Sequence, residues 1–187
     1  MIRDIVIYGI AILRIKGKRV EIFDAKLRAL ADDMLETMYQ ANGIGLAAQQ
    51  VGEALQLTVI DVSQAETRPS QMWIDGAEVD LKEHMPLVLV NPEIQFGQEI
   101  EIGSEGCLSF PDIIGDIPRA AKISVKARDL DGKSIEFEAA GLLARAVQHE
   151  ADHLNGILFI DRMSSALKSS LAGKLKRLAS EVEARSR

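Results

Sequence analysis

Two histidines and a glutamate have the spacing of a metal site built on a helix. His149, Glu150 and His153 form an H-E-x-x-H arrangement within a stretch of helical periodicity. Residues four apart lie one turn above each other on a helix, so both imidazoles can reach one metal ion. A glutamate beside the first histidine can exchange protons with water at that ion. The motif therefore predicts a metal site that is supplied with two ligands and a base.

The third ligand has three candidate sources. A metzincin would carry a further histidine where this chain has Phe159. A thermolysin-like enzyme would use a downstream glutamate, and the candidates, Glu181 and Glu183, lie in a short basic segment. Upstream, Cys107 follows Gly106, and a thiolate is a strong ligand for borderline-soft divalent metals. We expect Cys107 to be the third ligand, and a zinc peptidase that uses a glutamate is the alternative.

A glycine-rich segment, residues 43–50, follows the first predicted helix. It has no Lys-Ser or Lys-Thr pair, so it does not match a nucleotide-binding P-loop. Its glycines allow a backbone to approach closely, and Gln50 offers a neutral amide donor. The segment is therefore expected to contact a ligand other than a nucleotide.

Three segments taken together resemble the ordered signature motifs of the peptide deformylases. They are GIGLAAQQ at 43–50, EGCLS at 105–109 and QHEADH at 148–153. The resemblance extends from about residue 25 to residue 163, which is most of the chain. It implies a hydrolase that removes the N-formyl group from N-formylmethionyl nascent peptides and releases formate and a free N-terminal methionine.

The resemblance also implies roles for individual residues. One divalent metal ion, with Fe2+ favoured over Zn2+, Ni2+ or Co2+, would have water in its open position and three protein ligands, Cys107, His149 and His153. A metal-bound hydroxide would attack the formyl carbon, with Glu150 as general base and then general acid. Gln50 and the backbone N–H of Leu108 would stabilise the oxyanion. A non-catalytic metal-binding module is a further alternative, against which the presence of Glu150 and Gln50 argues.

Five residues are expected to bind the peptide: Ile44, Gly45, Gly106, Leu142 and Ala146. The first two would pair with the peptide backbone as an added strand. The last two precede His149 by seven and three residues on one helix face, so they would line the pocket for the methionine side chain. Arg145 would cover that pocket with its aliphatic stem while its charge reaches solvent.

The elements that position these residues indicate an α+β fold. Apolar residues at helical spacing predict a first helix over 25–42, capped by Asp24, and a second over 142–154 that carries the H-E-x-x-H motif. Between them, β-rich runs predict mainly antiparallel sheets packed around the second helix: 57–62, 87–90, 93–102, 122–128 and 134–138. The last two runs flank a hairpin turn.

Three further segments complete the expected architecture. An apolar run at 5–13 predicts a first strand, and the polar stretch 63–85 predicts a long surface loop. An apolar stripe predicts a C-terminal amphipathic helix at 164–187, where six basic residues oppose two glutamates. Since this region docks on the ribosome in some bacterial relatives, the resemblance implies the ribosome as a partner of the basic helix.

Composition limits the remaining possibilities. With 187 residues and 47% hydrophobic content, residues 1–187 are expected to form a single domain. A net charge of −6 argues against direct reading of nucleic acid, and no segment approaches the roughly 20 apolar residues that cross a membrane. The single cysteine excludes an intramolecular disulfide, so we expect a bacterial cytoplasmic location.

Overall fold

The computed structural model describes residues 1–65 and 67–185. Within them the chain forms three α-helices: α1 (Ala25–Gln40), α2 (Gly141–Leu154) and α3 (Ser165–Arg185). It forms nine strands: β1 (Gly45–Ala47), β2 (Leu57–Ile60), β3 (Ser70–Ile74), β4 (Ala77–Glu78), β5 (Leu87–Phe96), β6 (Ile100–Gly106), β7 (Ile114–Ala120), β8 (Lys122–Arg128) and β9 (Ser134–Ala140). Seven strands form one antiparallel sheet in the order β1-β2-β5-β8-β9-β3-β4, and β6 pairs with β7. The predicted α+β fold is confirmed.

Helix α1 has a side-chain cap at its start and a left-handed backbone conformation just after its end. The carboxylate of Asp24 accepts hydrogen bonds from the backbone N–H groups of Lys26 and Leu27, each at 3.0 Å, which confirms the predicted N-cap. The helix ends at Gln40, before the predicted end, because Asn42 adopts a left-handed conformation with φ of 54°. The apolar face of α1 packs against β1 and β2, where the glycine-rich segment lies.

Helix α2 lies at the centre of the fold, and most of its side chains are buried. Its first residue, Gly141, has φ of 67°, and a Cβ there would collide with the Pro69 carbonyl. That carbonyl accepts from the N–H of Leu142 at 3.0 Å, and the Ser70 hydroxyl accepts from the N–H of Leu143 at 2.9 Å. The start of the helix is thus fixed to the segment that leads into β3.

Strand β5 joins the run predicted at 87–90 to the first part of that predicted at 93–102, whose last residues belong to β6 instead. A bulge between Val90 and Glu93 interrupts its pairing with β8. Inside the bulge, the buried Asn91 has φ of 52°, and its amide both accepts from the N–H and donates to the carbonyl of Val20, each at 2.8 Å. The predicted β8–β9 hairpin is confirmed, with a turn in which Asp129 N–H donates to the carbonyl of Lys133 at 2.9 Å.

Two further predictions about local structure were wrong. Residues 63–85 are not a continuous loop, since they contain β3 and β4, and β3 pairs with β9 while Met72 is buried in the sheet core. The apolar run at 5–13 does not form a strand, because Gly9 turns the chain with φ of 114° and residues 11–14 form a 3-10 helix. Leu13 is buried and Val6 and Tyr8 are partly buried against the core instead, with Tyr8 stacked on Phe110 at 4.8 Å between ring centroids.

Helix α3 confirms the predicted apolar stripe. Four leucines of one face pack with the buried residues around Ile117 and Met163: Leu167, Leu171, Leu175 and Leu178. Residues 186 and 187, which the sequence places in this helix, lie outside the described residues. Among the helices described, none is long and apolar enough to cross a membrane. The expectation of a single domain stays a prediction.

Candidate metal centre

Three side chains that are distant in sequence converge at α2. His149 and His153 project from the same face of the helix, and Cys107 reaches them from the turn after β6. Their candidate ligand atoms all lie within 4.8 Å of one another. The sulfur of Cys107 is 3.3 Å from Nε2 of His153. Such a group is consistent with a single divalent metal ion.

The glutamate-based alternative for the third ligand is not supported by this geometry. Glu181 lies exposed on α3, and the group that could hold an ion within the described residues does not include it. The side chain of Glu183 lies outside the described residues. The sulfur of Cys107 occupies the position that the third ligand of the two histidines requires.

Electrostatics around the two histidines suit a cation. Burial acts to lower the pKa of His149, but hydrogen bonds with Cys107 and Glu105 outweigh it and raise that pKa well above its usual range. Burial lowers the pKa of His153 well below its usual range, and the charge of His149 acts in the same direction. A site that draws a proton to one imidazole and keeps the other neutral also favours a divalent ion bound by both. The donor set therefore fits the expected metal.

A buried charge network lies behind the histidines. Nδ1 of His149 is 2.9 Å from a carboxylate oxygen of Glu105, which leaves Nε2 directed toward the group. Arg119 donates two hydrogen bonds to the same carboxylate, at 2.9 and 3.0 Å, and a third at 2.5 Å to Asp152. Burial acts to raise the pKa of Glu105, but His149 and Arg119 hold it at about 2. The network thus keeps the carboxylate ionised and orients the first histidine.

The prediction that the charge of Arg145 reaches solvent was wrong. Its side chain is buried, and Nη1 donates to Glu105 at 2.9 Å and to the carbonyl of Ile117 at 2.8 Å. Nη2 donates to the carbonyl of Glu101 at 2.9 Å. The guanidinium occupies the space where a Cβ of Gly103 would be, since that atom would lie 2.9 Å from Cζ. Arg145 therefore attaches the sheet of β6 and β7 to the ligand helix.

Glu150 has the environment of a base that works near neutrality. Its side chain is buried, and Oε2 has no hydrogen-bond partner in the part of the chain that the structure describes. Burial raises the pKa of Glu150 to about 7. Gly45 leaves room for the carboxyl group, because a Cβ there would lie 2.9 Å from Cδ of Glu150.

Gln50 is held with its amide nitrogen toward the metal group. Its Oε1 accepts from the N–H of Ala47 at 2.9 Å, which sets the orientation of the amide. Nε2 donates to the hydroxyl of Ser109 at 3.1 Å and lies 3.5 Å from the sulfur of Cys107. The amide nitrogen therefore lies between the hydroxyl of Ser109 and the sulfur of the metal group.

A cavity of about 550 Å³ opens beside this group. It brings together nearly all the residues that the sequence nominated, and these are Ile44, Gly45, Gln50, Gly106, Cys107, Leu108, Leu142, Ala146, His149 and Glu150. His153 contacts Cys107 but does not line the cavity. Strand β1 ends the order of the large sheet, and the carbonyl of Ile44 accepts from Asp61 of the chain following β2 at 2.9 Å. Because antiparallel hydrogen bonds alternate, Gly45 directs its backbone groups to the other edge, along the cavity.

Several residues at the cavity or in the charge network behind it were not predicted from the sequence. Glu105 directly precedes the Gly-Cys pair, and this position was a usable signal. Arg119 and Asp152 become recognisable only through their ion pair, which joins residues 33 positions apart. Arg68 lines the cavity from the segment that was predicted to be a long surface loop.

The fold and the site define the class of this protein. A helix with two histidines and a buried glutamate, a cysteine beside them, and a cavity lined by the cysteine, the glutamate and the first histidine are the parts of a metal-dependent hydrolase.

Comparison with known proteins identifies the family. The sequence profile described as "Polypeptide deformylase" matches residues 2–169. Peptide deformylase of Methylacidiphilum infernorum is 48% identical over 178 residues, which cover 95% of this chain and 93% of that protein. The crystal structure of peptide deformylase from Thermotoga maritima superposes with a TM-score of 0.76 at 39% identity, over 88% of this chain and 99% of that one. The crystal structure of a peptide deformylase from Legionella pneumophila superposes with a TM-score of 0.80 at 36% identity, over 100% of this chain and 98% of that one.

The chain belongs to the peptide deformylase family. It is a metal-dependent hydrolase that removes formyl groups from the N-terminal formylmethionine of nascent peptides.

Proposed function

We propose that deformylation takes place at the group of Cys107, His149 and His153, with Glu150 as the residue that moves the proton. One observation carries the proposal: the buried carboxylate of Glu150, whose Oε2 has no hydrogen-bond partner among the described residues, faces the same cavity as two of the three ligands. A pKa of about 7 allows this carboxylate to accept a proton from water and return it to the departing amine. Both halves of the reaction thereby use one side chain.

The three ligands would hold one divalent ion, and we propose Fe2+ as the native metal. When bound, the ion would polarise the formyl oxygen and lower the pKa of water. One thiolate and two imidazoles also suit Zn2+, Ni2+ or Co2+, and the family resemblance supports iron. Metal analysis of protein purified without oxygen tests this choice, since iron in roughly equal amount to protein is expected and a site filled with zinc alone would contradict it.

The remaining cavity residues would orient the peptide. The amide of Gln50 and the backbone N–H of Leu108 would donate to the oxyanion that forms from the formyl group. The edge of β1 at Ile44 and Gly45 would pair with the peptide backbone, opposite Gly106. Leu142 and Ala146 would line the pocket of the methionine side chain, since both face the cavity from α2.

The proposal is tested by formate release from formyl-Met-Ala-Ser, with the metal content measured in every preparation. Wild-type protein is expected to release formate. Glu150→Ala should keep the metal and lose turnover by about 10²- to 10⁴-fold, because only proton transfer is removed. Cys107→Ala should lose the metal itself. Turnover by Glu150→Ala close to that of the wild type would exclude the assigned role.

We also propose that α3 contacts the ribosome in a bacterial cytoplasm. Four exposed basic residues support this: Lys168, Lys174, Lys176 and Arg177. Cosedimentation with ribosomes tests it, comparing the wild type with a variant in which these four are changed to glutamine. The leucines that pack on the core are unchanged in this variant, so equal sedimentation of both proteins would refute the contact. The single cysteine, placed at the metal group, and bacterial relatives such as that of Methylacidiphilum infernorum support the location.

A further inference from the structure

Two arginines line the cavity, and they differ in burial and in whether an acidic side chain pairs with them. Arg145 is buried and paired with Glu105 at 2.9 Å. Arg68 is exposed, and the ion pairs among the described residues do not include it. Within residues 1–65 and 67–185, Arg68 therefore brings a positive charge without an ion pair to the rim of the cavity.

Arg68 is fixed in place at both of its ends. The next residue, Pro69, accepts a hydrogen bond from the N–H of Leu142 at 3.0 Å, which attaches the backbone to the start of α2. At the other end, Nη2 of the guanidinium donates to the carbonyl of Ser104 on β6 at 3.2 Å. The side chain thus spans from the ligand helix to the small sheet, on the side of the cavity where Leu142 lies.

The other exposed charge at the rim is negative. Asp112 lines the cavity from the segment before β7, and among the ion pairs of the described residues it has none. The remaining acidic groups of the lining, Glu105 and Glu150, are buried at its base. The mouth therefore has a cationic side at Arg68 and an anionic side at Asp112.

The peptide would present its third residue to the cationic side. Side chains of an extended strand alternate, so the first and third residues face the same way and are about 7 Å apart. The methionine side chain is assigned to the wall that contains Leu142, and Arg68 is attached to that residue through Pro69. Since the net charge of the chain is −6, acidic peptides gain no general attraction, and a preference would have to come from a local group.

We propose that Arg68 is a specificity residue that favours an acidic side chain at the third position of the formylated peptide. This inference rests on the proposed function, because it takes the methionine pocket and the peptide direction from it. An exposed ion pair of this kind is worth about a two- to fivefold preference in kcat/KM. High salt would remove most of it, since the screening length falls to about 3 Å at 1 M.

The test compares kcat/KM for formyl-Met-Ala-Asp-amide, formyl-Met-Ala-Asn-amide and formyl-Met-Ala-Lys-amide. Wild-type protein is expected to prefer aspartate over asparagine, Arg68→Gln to show equal values, and Arg68→Glu to prefer lysine. Arg28→Gln is the matched control, because it removes an exposed arginine that pairs with Asp131 away from the cavity. It should keep the wild-type ratio. Formyl-Met-Ala-Asn as a free acid shows separately whether a terminal carboxylate is recognised in the same way.

The outcomes separate this inference from the proposed function. Hydrolysis of all three amides with an aspartate-to-asparagine ratio that Arg68→Gln does not change would overturn the role of Arg68 and leave deformylation intact. An equal change of the ratio in Arg28→Gln would also overturn it, since the effect would then be one of net charge. Hydrolysis of none of the peptides by metal-loaded wild type would instead refute the proposed function, and this inference with it.

Discussion

Nδ1 of His149 lies 2.9 Å from a carboxylate oxygen of Glu105, and both groups are buried. Glu105 lies on β6, and its carboxylate also accepts from Arg119 on β7 and from Arg145 on α2, so one side chain connects the first histidine ligand to both strands of the small sheet. Glu105 is also two residues before Cys107. Its position therefore links the orientation of one ligand to the placement of another.

Glu105→Gln is expected to weaken metal binding by about 10- to 100-fold, because the acceptor that orients His149 is replaced by a neutral amide. The change also leaves the buried Arg145 without its anion and Arg119 with Asp152 alone, which costs about 3–5 kcal/mol of unfolding free energy. Competition with a chelator and urea unfolding measure the two effects. Glu101→Gln on the same strand is the control, since Arg145 contacts only the backbone carbonyl of Glu101. Wild-type metal retention in Glu105→Gln would contradict the prediction.

Gly45→Ala is expected to displace the carboxyl group of Glu150, because the new methyl group would lie 2.9 Å from Cδ. Displacement of a reacting group lowers kcat by about 10²-fold, and kcat is therefore expected to fall by this factor while the metal content stays unchanged. Gly173→Ala adds the same methyl group in α3, where no atom lies within 4 Å. That control should keep full activity and gain about 0.5–1 kcal/mol of stability. Undiminished kcat in Gly45→Ala would show that Glu150 tolerates the displacement.

Gln50→Ala is expected to lower turnover by roughly 10²- to 10³-fold, since it removes a donor to the oxyanion. Ser109→Ala removes the hydroxyl that accepts from Nε2 of Gln50 but leaves the amide itself, which Ala47 still orients through Oε1. The loss in Ser109→Ala should therefore be much smaller. Steady-state kinetics on formyl-Met-Ala-Ser, with equal metal content, compares the two. If both variants lose turnover equally, Gln50 acts through Ser109.

Asn91→Ala is expected to lower the free energy of unfolding by about 3 kcal/mol. Two buried hydrogen bonds with Val20 are lost, and alanine is strained at φ of 52°. Glycine adopts this backbone conformation without strain but lacks the amide. Asn91→Gly should therefore lose less unfolding free energy than Asn91→Ala, by the amount of the backbone strain. Urea unfolding of the three proteins measures both contributions. Equal stability of wild type and Asn91→Ala would show that the bulge relaxes without the amide.

Local signals in the sequence were sufficient for the elements that carry the chemistry. The spacing of His149 and His153 predicts a shared helix face, and Asp24 predicts the start of α1, because both effects act within one or two turns. The β8–β9 hairpin is likewise encoded by alternation and by a turn at Asp129. Each of these predictions is confirmed, since neighbouring residues alone decide them.

Contacts between distant residues decided the rest. Arg145 resembles a solvent-exposed residue until Glu105, 40 positions away, neutralises it inside the fold. Residues 63–85 resemble a loop because their β3 strand is stabilised by pairing with β9 rather than by its own pattern. The sequence by itself determined the ligand helix and the chemistry of its motif. Only the tertiary structure decided the burial of the charge network and the position of Arg68 at the cavity rim, because both depend on partners that no local pattern specifies.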